Sequence, residues 1–549
     1  MRQRTVSIAG LLVFVFAVLV AVLGGRAAPP ATAGSAAVAS PEKPEPGGIL
    51  RVGNRRDPDV SDPMQWSSIT YAQPQYNLYS QLVRRGYPDE TTVEPDLAER
   101  WEVSPDYRTY TFHLRKNARW HDGKPFTARD VEYWVQRGKN PPAGVLNLFK
   151  STFAEIASLQ VLDEHTVRMT IAKGRPGFLF DLATNYNRLA HPRHLFEGKE
   201  PQRPEAVGYV GTGPFKFKRY RRGSLFEIEK NPDYFVPGLP YLDGIQFFIT
   251  QDAATHFALF RTGRLDLTGR AAGWYMTSPQ IDILKRELGE RVKFGSFYNV
   301  AWHLLYNPSV APFADVRVRK AITLWLSRQD AVRAIEEGQG VAGAYFPPRA
   351  AFAQIDWSRQ PGWRASKDAD RAEAKRLLAD AGYRDGFSFV LLTRDLWTRA
   401  GEWAIGDLKG LGISGTLDVV DQPTRSKRNA EGRFQADILT VQGITLEQML
   451  SDYHTSNTTG MLTAWKGRPE AAHVDKLLDT AVATVDANER KRLAKDLEQY
   501  IYVDQALTAP IDVPQSTQAW LDTVHGYRQP IVDQSVHNEM QWVWLSRKR

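Results

Sequence analysis

The 549-residue chain contains no cysteine. That excludes disulfide staples, thiolate metal sites and cysteine nucleophiles, and also the acylated cysteine that anchors bacterial lipoproteins. Histidine is sparse, and its eleven copies are scattered without ligand spacing. No His-Glu-x-x-His or Gly-x-Ser-x-Gly is present, so the common signatures of zinc hydrolases and serine hydrolases are missing. Nor is there a dense Lys/Arg tract: the formal charge is only +8, and Arg2, Arg4 and Arg26 supply part of it at the N-terminus. Nucleic acid is therefore not an expected partner. A mean hydropathy of -0.40 with 24% charged residues excludes a polytopic membrane protein.

The single long apolar run, Val6 to Gly24, follows the basic residues Arg2 and Arg4 and precedes Ala31-Thr32-Ala33, a small-residue cleavage pattern. This is the grammar of an export signal. Residues 1–33 are read as a signal peptide or, because the run approaches bilayer-spanning length, as an N-terminal single-span anchor. Either way the rest of the chain faces outward, into the periplasm. Residues 34–47 are mostly Ala, Pro, Gly, Ser and Glu without apolar periodicity and read as a flexible linker.

Beyond it, Ile49 to Val52 reads as a first strand and Tyr76 to Arg84 as a helix. Tyr107–Leu114 alternates as a strand, and Leu159–Ile171 gives two more around the turn signal Asp163-Glu164. Further strands are expected at Phe215–Tyr220, Leu225–Lys230 and Gly244–Thr250, then a helix from Ala253 to Arg261 ended by Gly263. Asp315 caps one long helix to Ile335, with Val318, Ile322, Leu326 and Ala331 on its core face and Arg317, Arg319, Lys320 and Arg328 on a solvated one. Helices at 369–378, 399–411 and 487–502 alternate with strands at 387–392 and 415–420, the pattern of an α/β lobe.

Four ordered stretches carry a resemblance. The first is Leu97-Ala98-Glu99-Arg100-Trp101, Thr109–Leu114, Trp120-His121-Asp122-Gly123-Lys124-Pro125-Phe126-Thr127-Ala128 and Asp130-Val131. The second is Gly211-Thr212-Gly213-Pro214-Phe215 with Asn231-Pro232-Asp233-Tyr234-Phe235. The third is Pro312-Phe313-Ala314-Asp315 running into Val316–Ala321, and the fourth is the helix Asn488–Tyr502 followed by Ala509-Pro510-Ile511. Together they resemble the extracytoplasmic solute-binding proteins of family 5, the peptide and nickel type, over most of residues 48–525. His121-Asp122 is read as a fold signature in a turn before a helix capped by Thr127, and Gly211 and Gly213 as a tight turn before a strand, since no Lys-Ser/Thr follows them.

The resemblance implies an α/β, two-lobed periplasmic-binding-protein (type II) fold with an extra mixed domain inserted in the first lobe. The expected boundaries are 48–85 for the first part of lobe I, 86–205 for the extra subdomain, 206–300 for lobe I continued, 301–508 for lobe II and 509–549 for the return to lobe I. It implies a monomer that closes on a small-molecule or peptide ligand and hands it to the transmembrane subunits of an ABC permease, with no catalysis, cofactor or metal. A membrane-tethered sensor on the same fold and an extracellular hydrolase are the alternatives.

By the same resemblance the ligand contacts come from three places: Arg55, Asp57 and Trp66 after the first strand; Tyr298, Asn299, Trp302 and Tyr306 where the chain crosses between lobes; and Gln442, Thr445 and Glu447 in the second lobe. Peptide-binding members carry a Trp-x-x-Asp-Tyr-x-x-Pro-like element there, whose aspartate pairs with the ligand's amino terminus. Here 437–453 reads DILTVQGITLEQMLSDY, with no Trp and no Asp-Pro. A buried ammonium without a carboxylate is costly, so a neutral or anionic organic solute competes with a peptide.

Overall fold

The computed structural model describes residues 43–58, 62–65, 69–87, 92–143, 145, 150–183, 191–198, 209–269, 276–441, 443–457, 460–529, 531 and 539–546. The export segment lies outside them. Among the described residues no helix is long and apolar enough to cross a membrane.

The first sheet begins with Ile49–Asn54, parallel to Gly244–Ile249, which is antiparallel to Leu225–Lys230, with Phe215–Arg221 at the edge. Alternation puts Leu50 and Val52 on the face shared with Phe226, Ile228, Ile245 and Phe247. The inserted part is a separate antiparallel sheet in the order Ala98–Val103, Thr109–Leu114, Thr166–Ile171, Ile156–Asp163. Helix Ala128–Lys139 packs on it through Val131, Trp134 and Val135. Its start is set as the sequence suggests: the Asp130 carboxylate accepts from the Thr127 amide at 2.9 Å and hydroxyl at 3.1 Å.

The second lobe is built on Ala301–Tyr306, which lies antiparallel between Thr508–Leu521 and Ala436–Val441; Phe387–Thr393 and Ile413–Val419 continue the sheet in parallel. Strand Thr508–Leu521 joins the lobes. Its first half pairs with Ala301–Tyr306 and its second half with Val292–Tyr298. Leu267 bridges Val52 to Trp520, tying that second half to the first sheet. The two chain crossings therefore run side by side, fastened where the Asn299 amide donates to the Pro514 carbonyl at 2.8 Å.

The family motifs are joints. His121 Nδ1 accepts from the Gly211 amide while its Nε2 faces the Gly213 carbonyl, both at 3.1 Å. Burial pushes this imidazole down to about 4, so it is neutral and serves as a clamp. Glycine is required here because a Cβ on residue 211 would sit 1.8 Å from the Leu78 carbonyl oxygen.

That joint also explains why Tyr76–Arg84 is not helical. The helix ends at Tyr76, and Val83–Arg85 is a strand. The carbonyls of Asn77, Leu78, Gln81 and Leu82 accept instead from Phe215, Gly213, Leu97 and Ala98.

The expected single helix 315–335 is two, Val316–Trp325 and Arg328–Glu336. Asp315 does cap the first, and Val318, Ile322, Leu326 and Ala331 are all core. The break follows from Asp407, whose carbonyl takes the Trp325 indole N–H at 2.8 Å and whose carboxylate takes the Ser327 amide at 3.1 Å. The solvated basic face is corrected as well, since Arg319 and Arg328 are buried. Arg328 donates to the carbonyls of Pro510, Thr323 and Gly362 and lies 3.8 Å over the Trp363 ring. Arg319 donates to Phe313, Ala314, Gln505 and Ala506 over Trp465. Each guanidinium thus fastens a helix to a neighbouring loop, and burial without a bonded carboxylate pushes Arg319 down to about 10 and Arg328 down to about 9.

The second-lobe core also holds Glu498, fully buried, with Oε1 accepting from the Phe346 amide at 3.2 Å and Oε2 without a hydrogen bond among the described residues. Burial pushes its carboxyl up to about 8. A carboxyl raised in the folded state holds a proton that the unfolded chain releases near pH 4, so stability is lost as pH rises through the folded value. Urea unfolding is expected to lose about 2 kcal/mol between pH 6.5 and 8.5, and Glu498→Gln to remove much of that slope; parallel slopes would refute the assignment.

Candidate ligand-binding site

In an open α/β sheet the carboxyl ends of parallel strands leave a crevice where ligands settle. A pocket of about 320 Å³ lies there. It opens beyond Phe387–Thr393 and Ala436–Val441 and is lined by Leu305, Leu439 and Phe434 on the apolar side and by Gln422, Asn429, Thr440 and Thr463 on the polar side, with Trp397 and Arg425 as its large walls.

Trp397 is held by its surroundings. Arg394 lies 5.0 Å and Arg425 4.6 Å from its ring, and Trp302 meets it edge-on at 5.9 Å. Arg425 comes from helix Gln422–Ala430, started by Asp421, whose carboxylate accepts from the Thr424 amide at 2.8 Å. Its guanidinium makes a two-pronged pair with buried Asp437, at 3.0 and 2.5 Å, and Asn429 donates to the same carboxylate at 2.6 Å. Burial comes first among the influences on Asp437 and pushes it up to about 6 despite Arg425. Among the described residues of the lining Arg425 is the one charge, already countered from behind by Asp437, and none is a carboxylate.

Of the sequence-derived candidates, Trp302 is brought to this site. Half-buried, it donates its indole N–H to Glu336 at 3.0 Å and supports Trp397. Tyr298 and Asn299 lie at the crossing: Arg349 stands 5.4 Å over the Tyr298 ring, and Asn299 donates to the Ser516 hydroxyl. Tyr306 points into the core, stacked on Phe313 at 5.3 Å. In the first lobe, Asp57 accepts from the Tyr220 hydroxyl and the Gly223 amide, both at 2.7 Å, and Arg55 is half-buried at the end of the first strand. Thr445 caps helix Leu446–Tyr453, and Glu447 is buried against Arg490 at 2.7 Å. Trp66 and Gln442 lie outside the described residues.

The sequence reading missed Trp397, Gln422, Arg425, Asn429 and Thr440. A signal existed for the first, which stands just beyond the legible strand Phe387–Leu392. Among the described residues no group of three or more metal-ligating side chains is present.

The family profile described as "Bacterial extracellular solute-binding proteins, family 5 Middle" matches residues 92–459. The chain belongs to this family. Members of family 5 are binding proteins and not enzymes, which accords with the lack of catalytic motifs in the sequence. Heme-binding protein A of Haemophilus influenzae is 26% identical over 479 residues, 80% of this chain and 82% of that protein. The dipeptide-binding protein of Escherichia coli is 27% identical over 478 residues, 80% of this chain and 84% of that protein. HbpA2 from Haemophilus parasuis superposes with a TM-score of 0.79 at 21% identity, covering 91% of this chain and 100% of the other, and shares the two-lobed fold. This family 5 protein captures its solute between two hinged lobes outside the cytoplasm.

Proposed function

We propose that the solute is an organic molecule, a peptide or a related compound, which presents a neutral or anionic group to the second lobe. After closure it is delivered to the transmembrane subunits of an ABC importer. Residues 1–33 are proposed to direct export, leaving the mature protein in the periplasm as a monomer. The observation carrying the solute reading is the pocket wall: an indole, amides and hydroxyls surround an arginine whose charge is countered by Asp437, and among the described residues of the lining there is no carboxylate to receive an ammonium. Glu447 and Asp452, the carboxylates of the altered segment, are otherwise engaged, with Arg490 and with the Tyr345 hydroxyl at 2.7 Å. Relatives of nearly equal identity are named for heme and for dipeptides, so membership in the family leaves the solute open.

A thermal-shift screen with di- to pentapeptides, their N-acetylated forms and organic acids tests this reading. Stabilisation is expected to tolerate N-acetylation, whereas stabilisation only by free amino termini would contradict it. Trp302→Ala, which removes the edge support of Trp397, should weaken binding of the screen's best compound about tenfold in calorimetry while shifting the melting temperature little. Equal affinity would remove Trp302 from the site.

A further inference from the structure

Glu447 does more than pair with Arg490. Helix Leu446–Tyr453 presents it from the second-lobe core, where Leu446 and Met449 are buried with Leu493 of the helix that carries Arg490. Gly177, by contrast, belongs to the inserted subdomain: it immediately precedes Phe178, which is buried with Tyr110, Phe112 and Leu182 in that subdomain's own core. These two bodies touch through the Glu447 carboxylate. A Cβ placed on Gly177 would lie 1.8 Å from Glu447 Oε1 and 2.3 Å from its Cδ. The backbone of Gly177, at φ -76 and ψ -3, is ordinary right-handed helical and open to any residue. Any larger residue at this position must therefore displace the Glu447 carboxylate, whereas the backbone itself sets no demand for glycine.

The subdomain side of the contact is rigid. Arg175 binds Glu155 at 2.8 Å and Asp181 at 2.5 Å, and the Tyr110 hydroxyl donates to its carbonyl at 2.8 Å. Half-buried Arg175 stays above its ordinary value: desolvation works against the charge, and the carboxylates of Asp181, Glu155 and, across the contact, Glu447 outweigh it. The second-lobe side is equally fixed, with Arg490 aligned along Glu447 and 5.7 Å over Phe352. Any hinge motion that parts these two bodies separates Glu447 from Gly177, and its reversal reseats the carboxylate.

We infer that Glu447 and Gly177 form a latch between the second lobe and the inserted subdomain, setting the closed fraction of the protein and hence its apparent affinity from outside the solute pocket. The latch rests on hinged closure but not on the identity of the solute. Affinity falls with the fraction of molecules able to close, so a blocked seat weakens binding without altering a ligand contact.

The cysteine-free chain makes the test direct. Arg168→Cys and Lys495→Cys, both at exposed positions of the two bodies, take spin labels, and their separation is read by pulsed dipolar spectroscopy without added solute. Adding Gly177→Ala is expected to reduce the short-distance population at least threefold with the melting temperature unchanged. Glu447→Asp, which withdraws the carboxylate by one methylene while keeping a partner for Arg490, should restore part of it in the Gly177→Ala background. An unchanged distance distribution in Gly177→Ala, or no recovery in the double variant, would overturn the latch. Neither result bears on which solute binds, because none is present.

Discussion

Replacing Arg425 by methionine is expected to destabilise the protein by about 3–5 kcal/mol at pH 7.5, the loss typical of stripping one partner from a buried ion pair. Arg425 and Asp437 are almost wholly removed from solvent, and the guanidinium satisfies both carboxylate oxygens and the Ile438 carbonyl. Without it, a buried anion at the centre of the second-lobe sheet keeps the Asn429 amide but no opposite charge. The deficit should depend on pH in a definite direction. Asp437 already sits at about 6 with its partner present, above the ordinary carboxylate range, so the folded variant will take up a proton more readily than the unfolded chain. Protonation removes the bare charge, and the deficit should narrow as pH falls from 7.5 to 5.5. Adding Asp437→Leu should recover most of the loss, since an apolar pair replaces the ionic one. Urea unfolding followed by circular dichroism at both pH values measures all of this. A deficit below about 1 kcal/mol would mean that water reaches the pair.

Trp397→Ala is expected to abolish most solute binding while leaving the fold intact. The indole is half-exposed and forms a wall of the pocket, with the guanidiniums of Arg394 and Arg425 within 5.0 Å of the ring and Trp302 at its edge. Aromatic anchors of this kind carry a disproportionate share of binding energy, so about 2 kcal/mol or more, a loss of roughly thirtyfold, is expected. The fold has less to lose, because Trp397 packs only at the margin of the second-lobe core. Calorimetry against thermal melting separates the two effects, and a variant that loses stability and affinity together would recast Trp397 as a packing residue.

The fold was largely legible because its signals are local. The alternation in Thr109–Leu114, the strand character of Leu225–Lys230 and Phe387–Thr393, and the caps Thr127, Asp315 and Asp486 depend on neighbours a few residues away. What escaped depends on partners far along the chain. The stretch 77–85 carries helical periodicity, yet its carbonyls serve residues 97–98 and 213–215. Arg319 and Arg328 look like a solvated face until carbonyls from 505–506 and from 510 and 362 claim them.

The site was less legible for the same reason. Its walls come from Leu305, Trp397, 422–429, Phe434, 439–440 and 460–464, six segments with no shared motif. The candidate Glu447 could be picked from the altered segment, but its contact with Gly177, 270 positions earlier, could not.

The central claim is capture of an organic solute outside the membrane, and native mass spectrometry of the protein recovered from the periplasm tests it most directly. The prediction is a 1:1 complex with one small molecule, released on collisional activation and absent from Trp397→Ala prepared in the same way. A bare protein mass that stays bare through the peptide and organic-acid screen, or an adduct that Trp397→Ala retains in full, would contradict the account.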